Sequence, residues 1–310
     1  MRFWISAAVL LAIALGAAFT GVNEYFFYAG FVVLQLVVLA TAWNILGGYA
    51  GYVNFGTSAF FGIGSYTAVV LFKAAGAPLA VQIACAALVG GLLGFGLGLL
   101  TLRLRGIFFA IATVAVVFIM ETLMINWRYV GGATGLQLLR PETLAPFATY
   151  TRMLFVVMTL MALAAVAVAR YIQTSWLGRG LRAVRDSEEA AEASGVPTLK
   201  LKLFACVISG ALMAAAGAPM PMYLSFIEPA STFSLNYAIN ALAAPMIGGT
   251  THWIGPVIGG LLLASLQQIV TVTISSEINV LVVGVLLVFF VVAAPDGIVG
   301  LVRKWTRSSK

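Results

Sequence analysis

The sequence predicts an all-α polytopic membrane protein with about ten transmembrane helices, and three observations carry that expectation. Of 310 residues, 62% are hydrophobic and 9% charged, against about 25% charged in an average soluble domain. The mean hydropathy is +1.06, and no polar block is large enough to coat a soluble core. Ten apolar runs follow one another, each near the length that crosses a hydrocarbon core of about 30 Å. Lastly, the 17 lysines and arginines sit at the ends of those runs with a strong bias between alternate connections, the pattern of topology determinants.

Residues 4–20 follow a single Arg2 and run into GAAFTG at 16–21. They read as a retained first span; the alternative is the apolar core of a signal peptide, whose removal would leave nine spans beginning outside. Further spans fall at 26–46, 52–72, 79–101, 106–126, 152–172, 203–223, 234–249, 254–272 and 278–298. The run at 234–249 is the shortest and carries Asn236, Asn240 and Pro245, so a broken or incomplete span is expected there. Glycine is dense in GLLGFGLGLL at 91–100 and GPVIGGLLLA at 255–264, where a missing side chain lets helices approach closely. GGYAGYVNFG at 47–56 and GGTTHWIGPVIGG at 248–260 are similar Gly-rich re-entry points, a weak sign of related halves.

With the amino terminus inside, the cytoplasmic segments hold Arg2, Arg103, Arg105, Arg170, Arg179, Arg182, Arg185, Lys200, Lys202, Arg303, Lys304, Arg307 and Lys310. The outer ones hold Lys73, Arg128, Arg140 and Arg152. Thirteen against four places both termini in the cytoplasm. The whole of 1–310 then forms one transmembrane domain, with the connection at 173–202 as a cytoplasmic loop inside it. No connection is large enough for a catalytic domain.

Several function classes fall away. The net charge of +7 is dispersed at span ends and not interleaved with aromatic residues along a stripe, so nucleic acid is not an expected partner. Cys85, Cys206 and His252 have no companions at metal-ligand spacing. Neither GxxxxGK[ST] nor GxGxxG occurs, so ATP binding by this chain is not expected.

Residues 170–202 hold six bases and four acids, a basic segment followed by an acidic one. In GRGLRAVRDSEEAAEASG, Asp186 or Ser187 is placed to cap a two-turn helix through 188–194. Glu188 and Glu189 favour the positive end of its dipole, and Gly195 is placed to end it. So short a helix needs support from neighbouring structure or from a partner. Ala190, Ala191 and Ser194 form a small-residue face suited to a shallow groove. On composition alone, a solvated connecting loop is the favoured reading.

EAAEASG at 189–195 has the EAAxxxG form of the cytoplasmic loop of bacterial ABC importer permeases, and GRGLRAVRDSEEAAEASGVPTLKLKLFACVISGALMAAAG at 178–217 resembles the permeases for branched-chain amino acids. GYVNFGTSAFFGIGSYTA at 51–68, LRLRGIFFAIATVAVVFIMETLMINW at 102–127, GGATGL at 131–136 and GGTTHWIGPVIGG at 248–260 align with that family in order. The resemblance, to the longer permease type, implies an inner-membrane permease with alternating access. It implies a second related permease chain, cytoplasmic ATPase subunits that bind ATP and Mg, a periplasmic binding protein, and no cofactor in this chain. It also implies that Arg182, Asp186, Glu188, Glu189, Ala190, Ala191 and Gly195 belong to the contact with the ATPase.

The chain departs from the family in places. Thr57 stands where a histidine commonly follows FG. GAPMPMY at 217–223 puts Pro219 and Pro221 in what is otherwise a smooth helix, which predicts a kink or early helix end. Relatives with nearly the same framework carry urea or small aromatic acids, so the solute stays open among these and leucine, isoleucine or valine.

Polar residues inside the spans are candidates for lining the path or for helix–helix hydrogen bonds: Asn44, Asn54, Thr57, Thr113, Asn126, Asn236, Asn240 and Gln267. Glu121 is the one clear intramembrane carboxylate, expected to face the path or to pair with a cation such as Arg128. An ion-coupled carrier would need such a site at mid-span; the EAAxxxG loop argues against it.

Overall fold

The computed structural model describes residues 2–19, 23–104, 106–139, 147–273, 278–294 and 296–301. Arg105, Arg140, Arg303, Lys304, Arg307 and Lys310, which entered the charge count, lie outside them, as does the side chain of Arg2. The chain is an all-α membrane protein: each of the ten expected spans contains a helix, and among the described residues seven helices are long and apolar enough to cross a bilayer.

α1 (Arg2–Phe19) packs against α6 (Tyr150–Thr174), and α2 (Glu24–Ala50) is the hub. Asn23 starts α2, its side chain accepting from the Tyr25 N–H, and Gly51 ends it in the left-handed region at φ 77°. At 27 residues α2 is about 40 Å long, and every residue from Gln35 to Leu46 is buried. A helix apolar on all sides and buried on all sides belongs at the centre of a bundle. Around it stand α6, α9 (Thr198–Gly217), α12 (Leu235–Gly248) and α13 (Ile254–Thr273).

α3 (Thr57–Ala75), α4 (Leu79–Thr101) and α9 pack through small residues. Gly90, Gly94 and Gly98 recur every four residues along one face of α4, and a Cβ on Gly94 would lie 2.8 Å from the Cys206 carbonyl oxygen. Gly96, on another face, has open space around it. The glycines of GLLGFGLGLL are therefore not equivalent, and those facing α9 permit backbone contact. α5 (Ile107–Asn126) leans on α3 and α4, and α14 (Ile278–Ala293) covers α12 and α13.

Three boundaries differ from the sequence expectation. α3 begins at Thr57, not residue 52, and residues 51–55 are non-helical. The run at 203–223 is α9 followed, after a turn at Ala218–Pro219, by α10 (Met220–Leu224). This is the early end that Pro219 and Pro221 predict. The carbonyls freed there are taken by side chains: Gln35 Nε2 donates to Ala216 O at 3.2 Å and Ser65 Oγ to Gly217 O at 2.9 Å. Backbone at membrane depth needs such partners. Lastly, α12 has 14 residues, or about 21 Å, and falls short of a full crossing. Pro245 lies within α12 without ending it; the helix is short because it starts late, after α11 (Pro229–Thr232).

Polar contacts between distant elements join ends that the charge pattern assigns to one side. At one end of the bundle, Arg152 Nε meets Glu24 Oε1 at 2.9 Å and Lys73 Nζ donates to Tyr129 O at 2.7 Å. A two-residue antiparallel ladder, β1 (Leu136–Gln137) with β2 (Phe226–Ile227), closes the same end. At the other end, Arg170 lies over the rings of Phe3 and Trp253. Gln173 there donates to Thr251 O at 3.2 Å and accepts from the Trp253 N–H at 2.9 Å. That second end carries α7 (Trp176–Asp186) and α8 (Glu188–Ala193).

Candidate functional site

The polar stretch 176–195 folds as two helices in tandem. Leu177, Leu181 and Val184 are buried at helical spacing on one face of α7, against α2 and α6, while Arg179 and Arg185 stay exposed. That spacing is the signature of a surface helix with one apolar stripe. Arg185 bends back to donate to Gly48 O at 3.1 Å, and its ion pair with Asp186 is loose at 3.8 Å. Ser187 ends α7 and opens α8, its hydroxyl accepting from the Ala190 N–H at 3.3 Å. Of the two caps the sequence allowed, it is the serine. Gly195 closes the helix at φ 81°, with the Val196 N–H returning to Ala191 O at 3.0 Å. Ser187→Ala is expected to cost about 1 kcal/mol of local stability, measured as faster amide exchange across 188–194.

Six residues do not hold a helix alone, and a buried ion pair anchors this one. Lys202, in the second turn of α9, has a side chain only 3% exposed and meets Glu188 Oε1 at 2.5 Å; the Glu188 side chain is 14% exposed. The ammonium also donates to Tyr52 OH at 2.9 Å and Leu102 O at 3.0 Å, which uses all three of its hydrogens. Tyr52 OH in turn donates to Glu188 Oε2, and the Tyr52 ring lies edge-on to Phe109 at 5.2 Å. Thr198 Oγ1 donates to Glu192 Oε1 at 2.7 Å. The first turn of α8 is thereby tied to the segment before α3, the end of α4 and the start of α9.

This arrangement corrects the face expected of α8. Glu188 turns inward as an anchor, and Ala191 is buried; Glu189, Ala190, Glu192, Ala193 and Ser194 are the residues that point outward. The outward small-residue face is Ala190, Ala193 and Ser194. Arg182 is half-buried on α7, and Asp186 is exposed. Tyr52 and Lys202 were missed as site residues. Lys202 counts in sequence as one more topology determinant; the available signal was its register, since Lys202, Cys206 and Ser209 share the buried face of α9.

Above the anchor, the non-helical residues 51–55 are held by side chains. Trp43 Nε1 donates to Asn54 O at 2.7 Å, Asn54 Oδ1 accepts from the Gly56 N–H at 2.7 Å, and the Phe55 N–H donates to Thr113 Oγ1 at 3.1 Å. Asn54 and Thr113 also line, with Thr101 and Cys206, a cavity of about 10 Å³, the room of one water molecule. Ser58 Oγ donates to Ser234 O at 2.7 Å, so the late start of α3 meets the late start of α12.

The other polar candidates divide in two. Asn44 donates to Thr250 O at 3.1 Å and Gln267 to Asn240 Oδ1 at 3.1 Å; the first joins α2 to the turn after α12 and the second joins α13 to α12. Thr57 is buried with its hydroxyl unpartnered. Asn126 donates to Thr122 O on its own helix and is exposed, as is Asn236. Glu121 is half-buried and, among the described residues, has no ion pair. The expected pairing with Arg128 is therefore not formed, and Glu121, Asn126 and Asn236 are the candidates left open to the surface. Among the described residues no group of three or more His, Cys, Asp or Glu side chains gathers as a metal site.

Similarity to known proteins agrees with this architecture. The high-affinity branched-chain amino acid transport system permease protein LivM of Salmonella typhimurium is 26% identical over 292 residues, covering 86% of this chain and 68% of that protein. A probable branched-chain amino acid transport permease protein LivH of Methanocaldococcus jannaschii is 26% identical over 286 residues, 86% of this chain and 89% of its own. The ribose import permease protein RbsC of Haemophilus influenzae is 34% identical over 109 residues, 33% of each chain. No solved structure matches the chain. The family model for the branched-chain amino acid transport system / permease component matches residues 25–291, from the first turn of α2 to the last turns of α14. A multi-pass helical chain with that match along nearly its whole length belongs to the branched-chain amino acid transport system permease family.

Proposed function

We propose that this chain is a permease subunit of a bacterial ABC importer that carries a branched-chain amino acid (leucine, isoleucine or valine) inward across the inner membrane. In this reading residues 1–310 act as one transmembrane domain, both termini and the α7–α8 end face the cytoplasm, and 173–202 is the coupling loop. A second related permease completes the path, a periplasmic binding protein delivers the solute, and cytoplasmic ATPase subunits bind ATP and Mg. The observation that carries the reading is α8. It is a short helix capped at both ends and anchored by Lys202 from beneath, and it turns a face of alanine, serine and two glutamates away from the bundle. A partner's cleft can grip a helix that its own chain holds rigidly.

Glu189→Lys combined with Ala193→Trp alters only that outward face. In proteoliposomes containing the whole complex, the pair is expected to lower uptake and uptake-coupled ATP hydrolysis at least about tenfold, as loss of a central interface contact does, with membrane insertion unchanged. Full coupling in the double variant would refute the docking reading. Uptake that survives a disabled ATPase but collapses with the ion gradient would replace it by an ion-coupled carrier using Glu121. Leucine, urea and benzoate, presented with the purified binding protein, separate the solutes.

A further inference from the structure

A cavity of about 690 Å³ opens on the outside of the bundle where α1, α6, α7 and α9 meet, a volume in the range of small-molecule sites. Its floor is apolar, with Ile172, Leu201 and Ile208, and Phe204 beside them is exposed. Its rim carries three rings that the fold leaves in the open: Trp4 at 68%, Tyr171 at 75% and Trp176 at 66% exposure. Lys200 is the one charged residue in the lining, and among the described residues it has no ion pair. Arg179, one turn beyond Trp176, is exposed and likewise has no ion pair.

The direction of the groove gives it meaning. Its mouth lies at the end of α6 and the starts of α7 and α9, and from Lys200 to Ile208 it runs about 12 Å along α9 into the apolar zone. Exposed tryptophan and tyrosine mark the level of lipid headgroups, and Trp176 and Arg179 at the start of α7 are on its exposed side, away from the face packed on α2 and α6. A groove with a cationic, aromatic mouth and a hydrocarbon floor is complementary to a molecule with an anionic head and an acyl tail.

We propose that the groove holds an anionic glycerophospholipid of the leaflet on the α7 side, one acyl chain lying along α9 and its phosphate at Lys200, with Arg179 adding to the field. Basic residues at this depth favour anionic over zwitterionic lipid. The inference needs only the membrane-spanning fold and is independent of what docks on α8.

The full chain in detergent, titrated with phosphatidylglycerol or phosphatidylcholine of identical acyl chains and read by native mass spectrometry, tests it. Phosphatidylglycerol is expected to bind about tenfold more tightly, and Lys200→Glu to remove that preference. Ala167→Trp, which fills the groove from α6, is expected to displace both lipids while leaving the lipid-free melting temperature unchanged. Equal affinity for the two headgroups, or full lipid binding by Ala167→Trp, would overturn the proposal. So would a photo-crosslinker at position 171 that labels a polypeptide in place of lipid in native membranes.

Discussion

Lys202→Met is expected to destabilise the protein by about 3–5 kcal/mol, because it leaves the Glu188 carboxylate buried without its counter-charge. The substitution also strips Tyr52 OH and the Leu102 carbonyl of a donor, and each unmet buried group adds a desolvation cost. Thermal unfolding of the detergent-purified chain should show a large fall in melting temperature. The double variant Lys202→Met with Glu188→Leu should recover much of the loss, since removing both charges is far less costly than removing one. A single variant that melts like the parent would show that the pair anchors nothing. Surviving Lys202→Met protein should also couple ATP hydrolysis to uptake poorly, because α8 would keep its bond to Tyr52 but lose its tie to α9 and to the end of α4. Lys202→Arg, which keeps the charge but not the compact ammonium, should fall between the two.

Gly259→Val should be at least as damaging, for a different reason. A Cβ at Gly259 would fall within contact of the Ala244 carbonyl oxygen, and Cβ atoms at Gly248 and Gly255 would meet the carbonyls of Gly255 and Gly249. These are backbone atoms, so no rotamer change relieves the overlap, and α12 must move away from α13. Overpacking of this kind costs about 3 kcal/mol or more where the neighbours cannot yield. Gly96→Val, with nothing within 4 Å of its Cβ, is the matched control and should express and melt as the parent does. Equal behaviour of the two variants would mean that GGTTHWIGPVIGG is not a close-packed joint.

What the sequence revealed tracks how local the cause is. The cap at Ser187, the stop at Gly195 and the break at Pro219–Pro221 each depend on a few neighbouring residues, and each was readable. The Lys202 anchor was not, because its partners lie 14 and 150 residues away and LKLKLF, taken without its register to Cys206 and Ser209, does not separate a buried lysine from a snorkelling one. The late start of α3 was hidden for a related reason. GYVNF is as apolar as a helix end, and Trp43, Asn54 and Thr113 together hold its non-helical backbone. Glu121 misled in the other direction: a carboxylate near a span's end invites a partner just beyond the helix, and Arg128 does not supply one. The outward residues of α8 became clear only once Glu188 was seen to turn in.

The shortness of α12 bears on how the protein is made. A segment of about 21 Å that contains Asn236, Asn240 and Pro245 is a poor substrate for stepwise release into lipid, where each span must be tolerated by itself before it finds neighbours. α13, of 20 residues, has the length to enter and remain. The glycine contacts between the two suit insertion as a pair: α12 is expected to be retained only once α13 has been synthesised, which a truncation ending before residue 254 tests by leaving α12 extractable from the membrane.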